Sequence, residues 1–328
     1  MKKIIIGAVL IMVAMGFVLM SIVGSYNSAS RIKAASNVDV EAILTSASRK
    51  FGIKNDKTEL SYNSSARAMA TISADSGEVI FSKNMDKQLP MASTTKIFTA
   101  LAVIENIKDL EQLVTIPAAA VGIEGTSLYL EQGEQLSVKN LLYGLMLRSG
   151  NDAAVALAIH TSGSVEKFCQ LMKETAIKAG ATNSNFKNPH GLDAEGHYTT
   201  AYDLAVVSAY ALKNQEFKEI VSTKKVTMPW ETRTYDRVIM NKNRLLNSLD
   251  GCCGVKTGFT KKAGRCYVGA SQRNGFTYVS VVLNCGPMFE EVNDMLNLCH
   301  NNFNQLALAP LDENVYVEDE MTYLGAVE

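Results

Sequence analysis

Ser93 and Lys96 stand three residues apart in the stretch MASTTKIFTA, directly after Pro90. At that spacing in a helix the two side chains share one face and can touch. A lysine in a first helical turn faces the positive end of the macrodipole, a penalty of ~0.3–1 kcal/mol when exposed. The same placement suits a general base. Burial together with the helix-end field lowers the amine's pKa, and a neutral amine takes a proton from a neighbouring hydroxyl. The structural alternative is Ser93 as an N-cap beside a snorkelling lysine. A capping box, however, would carry Glu or Gln where Lys96 stands.

Two further triplets carry similar chemistry. Ser149-Gly150-Asn151 interrupts a helical run between apolar segments. A hydroxyl there can pass a proton onward, and a carboxamide can donate and accept at once. Read structurally, Ser149 or Asn151 would simply cap the next helix. Lys256-Thr257-Gly258 lies in a strand-like run, Gly254 to Phe259. A cation and a hydroxyl beside a glycine suit recognition of a carboxylate on a strand that a substrate approaches closely; the alternative is a surface strand with a solvated lysine.

Several elements must position these residues. Arg67–Ala74 and Val79–Lys83 read as a hairpin around Asp75-Ser76-Gly77-Glu78. An amphipathic helix starts at Ser93, with Ile97, Phe98, Ala100, Leu101 and Val103 as its apolar face. Helical periodicity recurs over Ser137–Leu147, Asn151–His160, Val165–Ala179, Thr200–Leu212 and Phe289–Leu306. Strand-like runs cover Lys225–Met228, Val238–Met240, Gly254–Phe259, Gly264–Ser271 and Phe276–Leu283, and Asn183–Thr199 is a loop. Strands open and close the domain while helices fill its middle. The expected fold is α+β: a mostly antiparallel sheet flanked by helices, with an all-helical subdomain.

The 328 residues carry a net charge of −1 and are 47% hydrophobic, enough for one large core and without the basic excess of a nucleic-acid binder. Lys2 and Lys3 precede an uncharged run from Ile4 to Val23, long enough to span a bilayer and flanked as an exported chain would be. The rest of the chain is therefore expected outside the cytoplasm. The six cysteines include no C-x-x-C pair, and adjacent Cys252 and Cys253 are badly spaced for zinc. Most are expected as buried free thiols, and their spacing implies no metal site.

Ser-x-x-Lys, Ser-x-Asn and Lys-Thr-Gly in this order are the trio of penicillin-binding proteins and class A β-lactamases. The chain resembles the serine-type D-alanyl-D-alanine carboxypeptidases, the low-molecular-mass penicillin-binding proteins of peptidase family S11. The resemblance extends through ISADSGEVIFSKNMDKQLPMASTTKIFTALAVIEN, LMLRSGNDAAVALA, NPHGLDAEGHYTTAYDLA and GVKTGFTKKAGRCYVGAS, from about Ser65 to Leu306. It implies a β-lactamase/transpeptidase-like fold. It implies hydrolysis of the last D-Ala–D-Ala bond of a peptidoglycan stem peptide without metal or cofactor, with β-lactam antibiotics as covalent inhibitors. By position, Ser93 matches the nucleophile, Lys96 its base, Ser149 a proton relay to the leaving D-alanine, and Asn151 the group orienting Lys96 and substrate. Lys256 and Thr257 match the carboxylate site beside Gly258, and the backbone N–H groups of Ser93 and Phe259 the oxyanion hole.

The chain is expected to divide into a signal peptide or N-terminal membrane anchor with linker (1–35) and a linker with a short helix around Val40–Phe51 (36–65). A carboxypeptidase domain (66–308) and an acidic C-terminal tail (309–328) follow. The β-rich C-terminal domain and anchor helix of many relatives are expected to be missing, leaving the apolar run as tether to the cytoplasmic membrane. Some relatives place an arginine after the last strand. NCGPMFEEV has none, which leaves Lys242 and Arg244 as candidates for assisting the carboxylate. His190 and His197 read as structural loop residues, since no G-x-S-x-G elbow supports a Ser-His-Asp triad. A serine β-lactamase on the same architecture would need a deacylating carboxylate, for which Glu195 is the candidate. A non-turnover penicillin-binding sensor is the third reading. AVGIEGTSLYL resembles members acting in sporulating bacteria.

Overall fold

Strand β1 (Ala68–Ser73) alternates its side chains between two cores, and that alternation organises the domain. Ala68, Ala70 and Ile72 join a large helical core, whereas Met69 belongs to a second core on the other side of the sheet. The computed structural model describes residues 61–303 apart from Glu231. The apolar run at 4–23, the helix expected around Val40–Phe51 and the acidic tail lie outside the described residues.

β1 pairs antiparallel with β2 (Val79–Lys83) on one side and with β9 (Phe276–Leu283) on the other. The five-stranded sheet has the order β2-β1-β9-β8-β7, with β8 spanning Gly264–Arg273 and β7 spanning Cys252–Thr260 at the edge. Both faces of its centre are covered, so β9 reads as a continuous buried run from Tyr278 to Leu283. The last helix, Met288–Phe303, packs on β8 and β9 from one side.

The other side holds α1 (Thr95–Asn106), surrounded by α3 (Asn151–Ser162), α4 (Val165–Lys178) and α5 (Ala201–Ala211). Here the sequence expectation needs correction. α1 is not amphipathic: every residue from Thr95 to Val103 is buried, because it threads the core. Nor does it begin at Ser93. A 3₁₀ turn, Ala92–Thr94, carries Ser93 and leads into the helix.

Other boundaries shift for local reasons. The run expected as one helix over Ser137–Leu147 is α2 (Val138–Tyr143) followed by a π-helical turn, Gly144–Arg148. The strands β5 (Lys225–Met228) and β6 (Arg237–Met240) form a separate two-stranded sheet rather than extending the main one. Another small sheet, β3 (Leu113–Thr115) with β4 (Gln135–Ser137), and the helix α6 (Gln215–Ser222) have no counterpart in the sequence reading. Side-chain caps by Ser137, Ser164, Thr200 and Asn214 fix the starts of α2, α4, α5 and α6. With the Met288–Phe303 helix as α7, the domain has its full set of described helices. Among these residues no helix is long and apolar enough to cross a membrane.

All six cysteines are free thiols; Cys253, Cys266, Cys285 and Cys299 are buried, Cys169 and Cys252 partly so.

Candidate active site

Ser93 sits where the 3₁₀ turn meets the edge strand β7. Its oxygen has no capping duty: the N-cap of α1 is Thr94, and no side chain caps that helix end. The turn is tightly wedged. Ala92 adopts a left-handed conformation at φ +48°, unusual for a residue with a Cβ. A Cβ on Gly191 would lie 2.0 Å from the Ala92 carbonyl oxygen, so the loop after α4 presses directly on the turn. From the other side comes Gly258, whose Cβ would stand 2.9 Å from Ser93 N and 3.1 Å from Thr94 N. Only glycine lets β7 run against the backbone of Ser93.

Lys96 lies one turn along and is completely buried. Its Nζ is 3.2 Å from Ser93 Oγ, 2.7 Å from Asn151 Oδ1 and 2.6 Å from the His190 carbonyl oxygen. An ammonium would donate to all three. A neutral amine keeps its two N–H groups on the two carbonyl oxygens and turns its lone pair to the Ser93 hydroxyl. Burial pushes the Lys96 pKa well below that of an exposed lysine, and the like charges of Lys256 and Lys242 push the same way against Asp152. The partly exposed Ser93 hydroxyl therefore meets an amine biased toward its neutral form.

Asn151 opens α3 and is buried. Its Nδ2 donates to the Glu124 carbonyl at 2.6 Å, and its backbone N–H donates to the Thr126 carbonyl at 2.7 Å. Those bonds leave Oδ1 aimed at Lys96. Two residues earlier the π turn ends on Ser149 in the left-handed region, φ +70°. Its Oγ is buried with no hydrogen-bond partner among the described residues. Orphaned buried hydroxyls and π turns both concentrate at functional sites.

The next residue, Asp152, is one the spacing arguments do not reach. Its buried carboxylate accepts from Ser127 Oγ at 2.6 Å and from the N–H groups of Leu128 and Leu130, at 2.9 and 3.2 Å to Oδ2. Asn151 and Asp152 thus hold the 124–130 segment from one side by its carbonyls and its amides. A polar residue at a helix start was legible; its partners some twenty-five positions away were not.

Lys256 on β7 is 2% exposed, and its Nζ donates to the Thr257 carbonyl at 3.0 Å. Burial and then the charge of Lys242 lower its pKa to about 7. Thr257 is partly buried, and the Phe259 ring is exposed. Of the two cations left open by the sequence, Lys242 belongs here: it acts on both buried lysines and reaches Thr126 Oγ1 at 3.4 Å. Arg244 lies over the Phe289 ring, 4.8 Å from its centroid, against the start of α7.

Neither histidine ring touches Ser93. His190 contributes its carbonyl, and burial lowers the ring's pKa to about 3, with Lys96 adding to the effect. His197 accepts from Lys187 N at Nδ1, which leaves Nε2 as donor to Thr95 Oγ1 at 2.9 Å; Thr95 in turn donates to the Ala92 carbonyl. The His197 imidazole braces the 3₁₀ turn through Thr95, whereas the His190 ring accepts from Leu192 N within its own loop. Glu195 is exposed, and Asp193 accepts from Thr260 Oγ1.

The arrangement can activate a hydroxyl with a buried amine beside a cationic strand. Comparison with known proteins points the same way. Residues 54–286 match the family model described as D-alanyl-D-alanine carboxypeptidase, Peptidase_S11. The chain is 33% identical over 274 residues to D-alanyl-D-alanine carboxypeptidase DacF of Bacillus subtilis, spanning 82% of this chain and 70% of that one. It is 36% identical over 230 residues to DacC of Escherichia coli, spanning 66% of this chain but 56% of that relative's length. Among solved structures, the Streptomyces K15 DD-transpeptidase superposes with a TM-score of 0.67 at 30% identity, covering 74% of this chain and 98% of that one. The D-alanyl-D-alanine carboxypeptidase DacD of Francisella tularensis gives a TM-score of 0.68 at 28% identity, covering 72% and 70%. With its Ser-x-x-Lys turn, Ser-x-Asn junction and Lys-Thr-Gly strand set in this fold, the chain belongs to the D-alanyl-D-alanine carboxypeptidases of peptidase family S11.

Proposed function

We propose that this protein is a penicillin-sensitive serine carboxypeptidase that removes the terminal D-alanine from peptidoglycan stem peptides. One observation carries the reading: a fully buried Lys96 amine, 3.2 Å from the Ser93 hydroxyl, with its N–H groups occupied by two carbonyl oxygens. Lys96 takes the Ser93 proton as Oγ attacks the penultimate D-alanine carbonyl. Backbone N–H groups of Ser93 and Phe259 stabilise the oxyanion. The orphaned Ser149 hydroxyl relays the proton to the leaving amine, and the acyl-enzyme is then hydrolysed by water. Asn151 holds Lys96 and the substrate amide. Lys256 and Thr257 bind the terminal carboxylate, with Lys242 adding to the positive field. A bound carboxylate stabilises the Lys256 ammonium, so substrate restores the charge that burial opposes.

The same reading places the enzyme outside the cytoplasm, with the apolar run at 4–23 as its export signal or membrane tether. It also takes the domain limits as 66–308 for the catalytic part, with linkers before and an acidic tail after.

Mass spectrometry after penicillin treatment tests the assignment. A stable adduct on the peptide bearing Ser93, decaying slowly, together with D-alanine release from a stem-peptide mimic, is the expected result. Rapid antibiotic turnover lost in Glu195→Ala would favour the β-lactamase instead, and labelling without D-alanine release the sensor. Gly258→Ala should cut acylation by about a hundredfold or more, the typical effect of losing one oxyanion donor, because the added methyl pushes β7 off the Ser93 N–H. An alanine variant acylating at the normal rate would show that the close approach is not needed.

A further inference from the structure

The only described guanidinium held against a carboxylate with both side chains buried is Arg237 on β6, paired with Glu134 just before β4. Nη1 donates to Glu134 Oε1 and Nη2 to Oε2 at 2.8 Å. The other donors are spent on main-chain oxygens: Nε on Leu128 at 3.1 Å, Nη2 on Tyr129 at 3.3 Å and Nη1 on Pro229 at 3.3 Å. The Trp230 ring covers the guanidinium, 4.2 Å from its centroid. Leu128 and Tyr129 belong to the segment whose amides Asp152 holds and whose Glu124 and Thr126 carbonyls hold Asn151. Tyr129 sits in a left-handed conformation, φ +60°, with its ring exposed, so the segment keeps a shape it would not adopt unaided.

We propose that the Arg237–Glu134 pair is a positioning device of the active site: it grips the 124–130 segment by its Leu128 and Tyr129 carbonyls, which fixes Asn151 and keeps the Asn151 amide oxygen on Lys96. The pair touches no reacting atom. This inference rests on the general-base reading of Lys96. Asp152 grips the amides from the α3 side while Arg237 grips the carbonyls from the β5–β6 side, so the segment is clamped between α3 and the β5–β6 sheet. Release on the Arg237 side lets Asn151 swing and water reach Lys96. The charged groups acting on that amine are Lys256, Lys242 and Asp152, and the adjacent His190 and His197 are neutral, so hydration shifts Lys96 toward its protonated form.

The test separates positioning from folding. A buried ion pair replaced by apolar residues of similar volume usually keeps stability, whereas removal of one partner leaves a buried charge. The variants are therefore Arg237→Met combined with Glu134→Leu, and Arg237→Lys alone, in the full chain. Readouts are the thermal midpoint and the penicillin acylation rate from acid to neutral pH. The double variant is expected to melt near the wild-type temperature yet acylate about tenfold more slowly on the acid side. That corresponds to an acid limb displaced upward by about one pH unit. Arg237→Lys, with its charge kept but most of the carbonyl bonds lost, should show the same displacement. Wild-type rates in either folded variant, or a loss uniform across pH, would overturn the positioning role. If wild-type enzyme has no acid limb, or Lys96→Arg retains one, the general-base reading itself fails, whatever the clamp variants do.

Discussion

Ser93→Ala is expected to abolish the penicillin adduct outright and to lower D-alanine release by at least about four orders of magnitude, the scale seen when a serine nucleophile is removed from a concerted site. The fold should survive. The Ser93 side chain caps nothing, and its recorded bond is to Lys96. On the proposed mechanism the variant loses the atom that forms the acyl bond; residual polarisation by backbone N–H groups and the cationic strand cannot supply one. The thermal midpoint should stay within a few degrees of wild type, which a melt recorded beside the labelling experiment checks. An adduct persisting in Ser93→Ala, mapped to another residue, would remove Ser93 from the mechanism.

The second large effect concerns the charge state of Lys96. Arginine at position 96 keeps a cation and much of the length but stays protonated at any accessible pH. Lys96→Arg should therefore acylate about a hundred- to ten-thousand-fold more slowly, the range that general-base catalysis contributes. The sign of the pH dependence follows from burial. On the proposed mechanism Lys96 works as the neutral amine, and burial pushes its pKa well below that of an exposed lysine, so activity falls as pH drops through the lowered value. On the same proposal Lys256 works as the ammonium, and its pKa of about 7 makes kcat/KM decline on the alkaline side, beginning near pH 7. In kcat the alkaline decline should move upward, since the bound carboxylate holds that proton. Kinetics on a stem-peptide mimic across this range, with ¹⁵N titration of Lys96, measure both limbs. A Lys96 ammonium still protonated at neutrality, or a Lys96→Arg variant close to wild-type rate, would defeat the proposed chemistry.

Ser93, Lys96, Ser149, Asn151, Lys256, Thr257 and Gly258 were all legible as a linear pattern, because each motif is local: a hydroxyl and an amine one turn apart, a break between helices, a glycine in a strand. The hairpin β1–β2, the helices α3 and α4 and the strands β8 and β9 were legible for the same reason, through periodicity over neighbouring residues. Tertiary structure decided what no short window contains. The burial of α1 on all sides depends on α3, α4 and α5 arriving from later in the chain. That burial, and not the Ser-x-x-Lys spacing, lowers the pKa of Lys96. The short strands β3 and β4 escape a sequence reading because they are stable only as a pair joined across a long loop. The 124–130 segment likewise has no regular pattern of its own; its shape comes from Asp152 on one side and Arg237 on the other. Residue types chose which reaction was available, while long-range packing set the dielectric and the distances at which it can run.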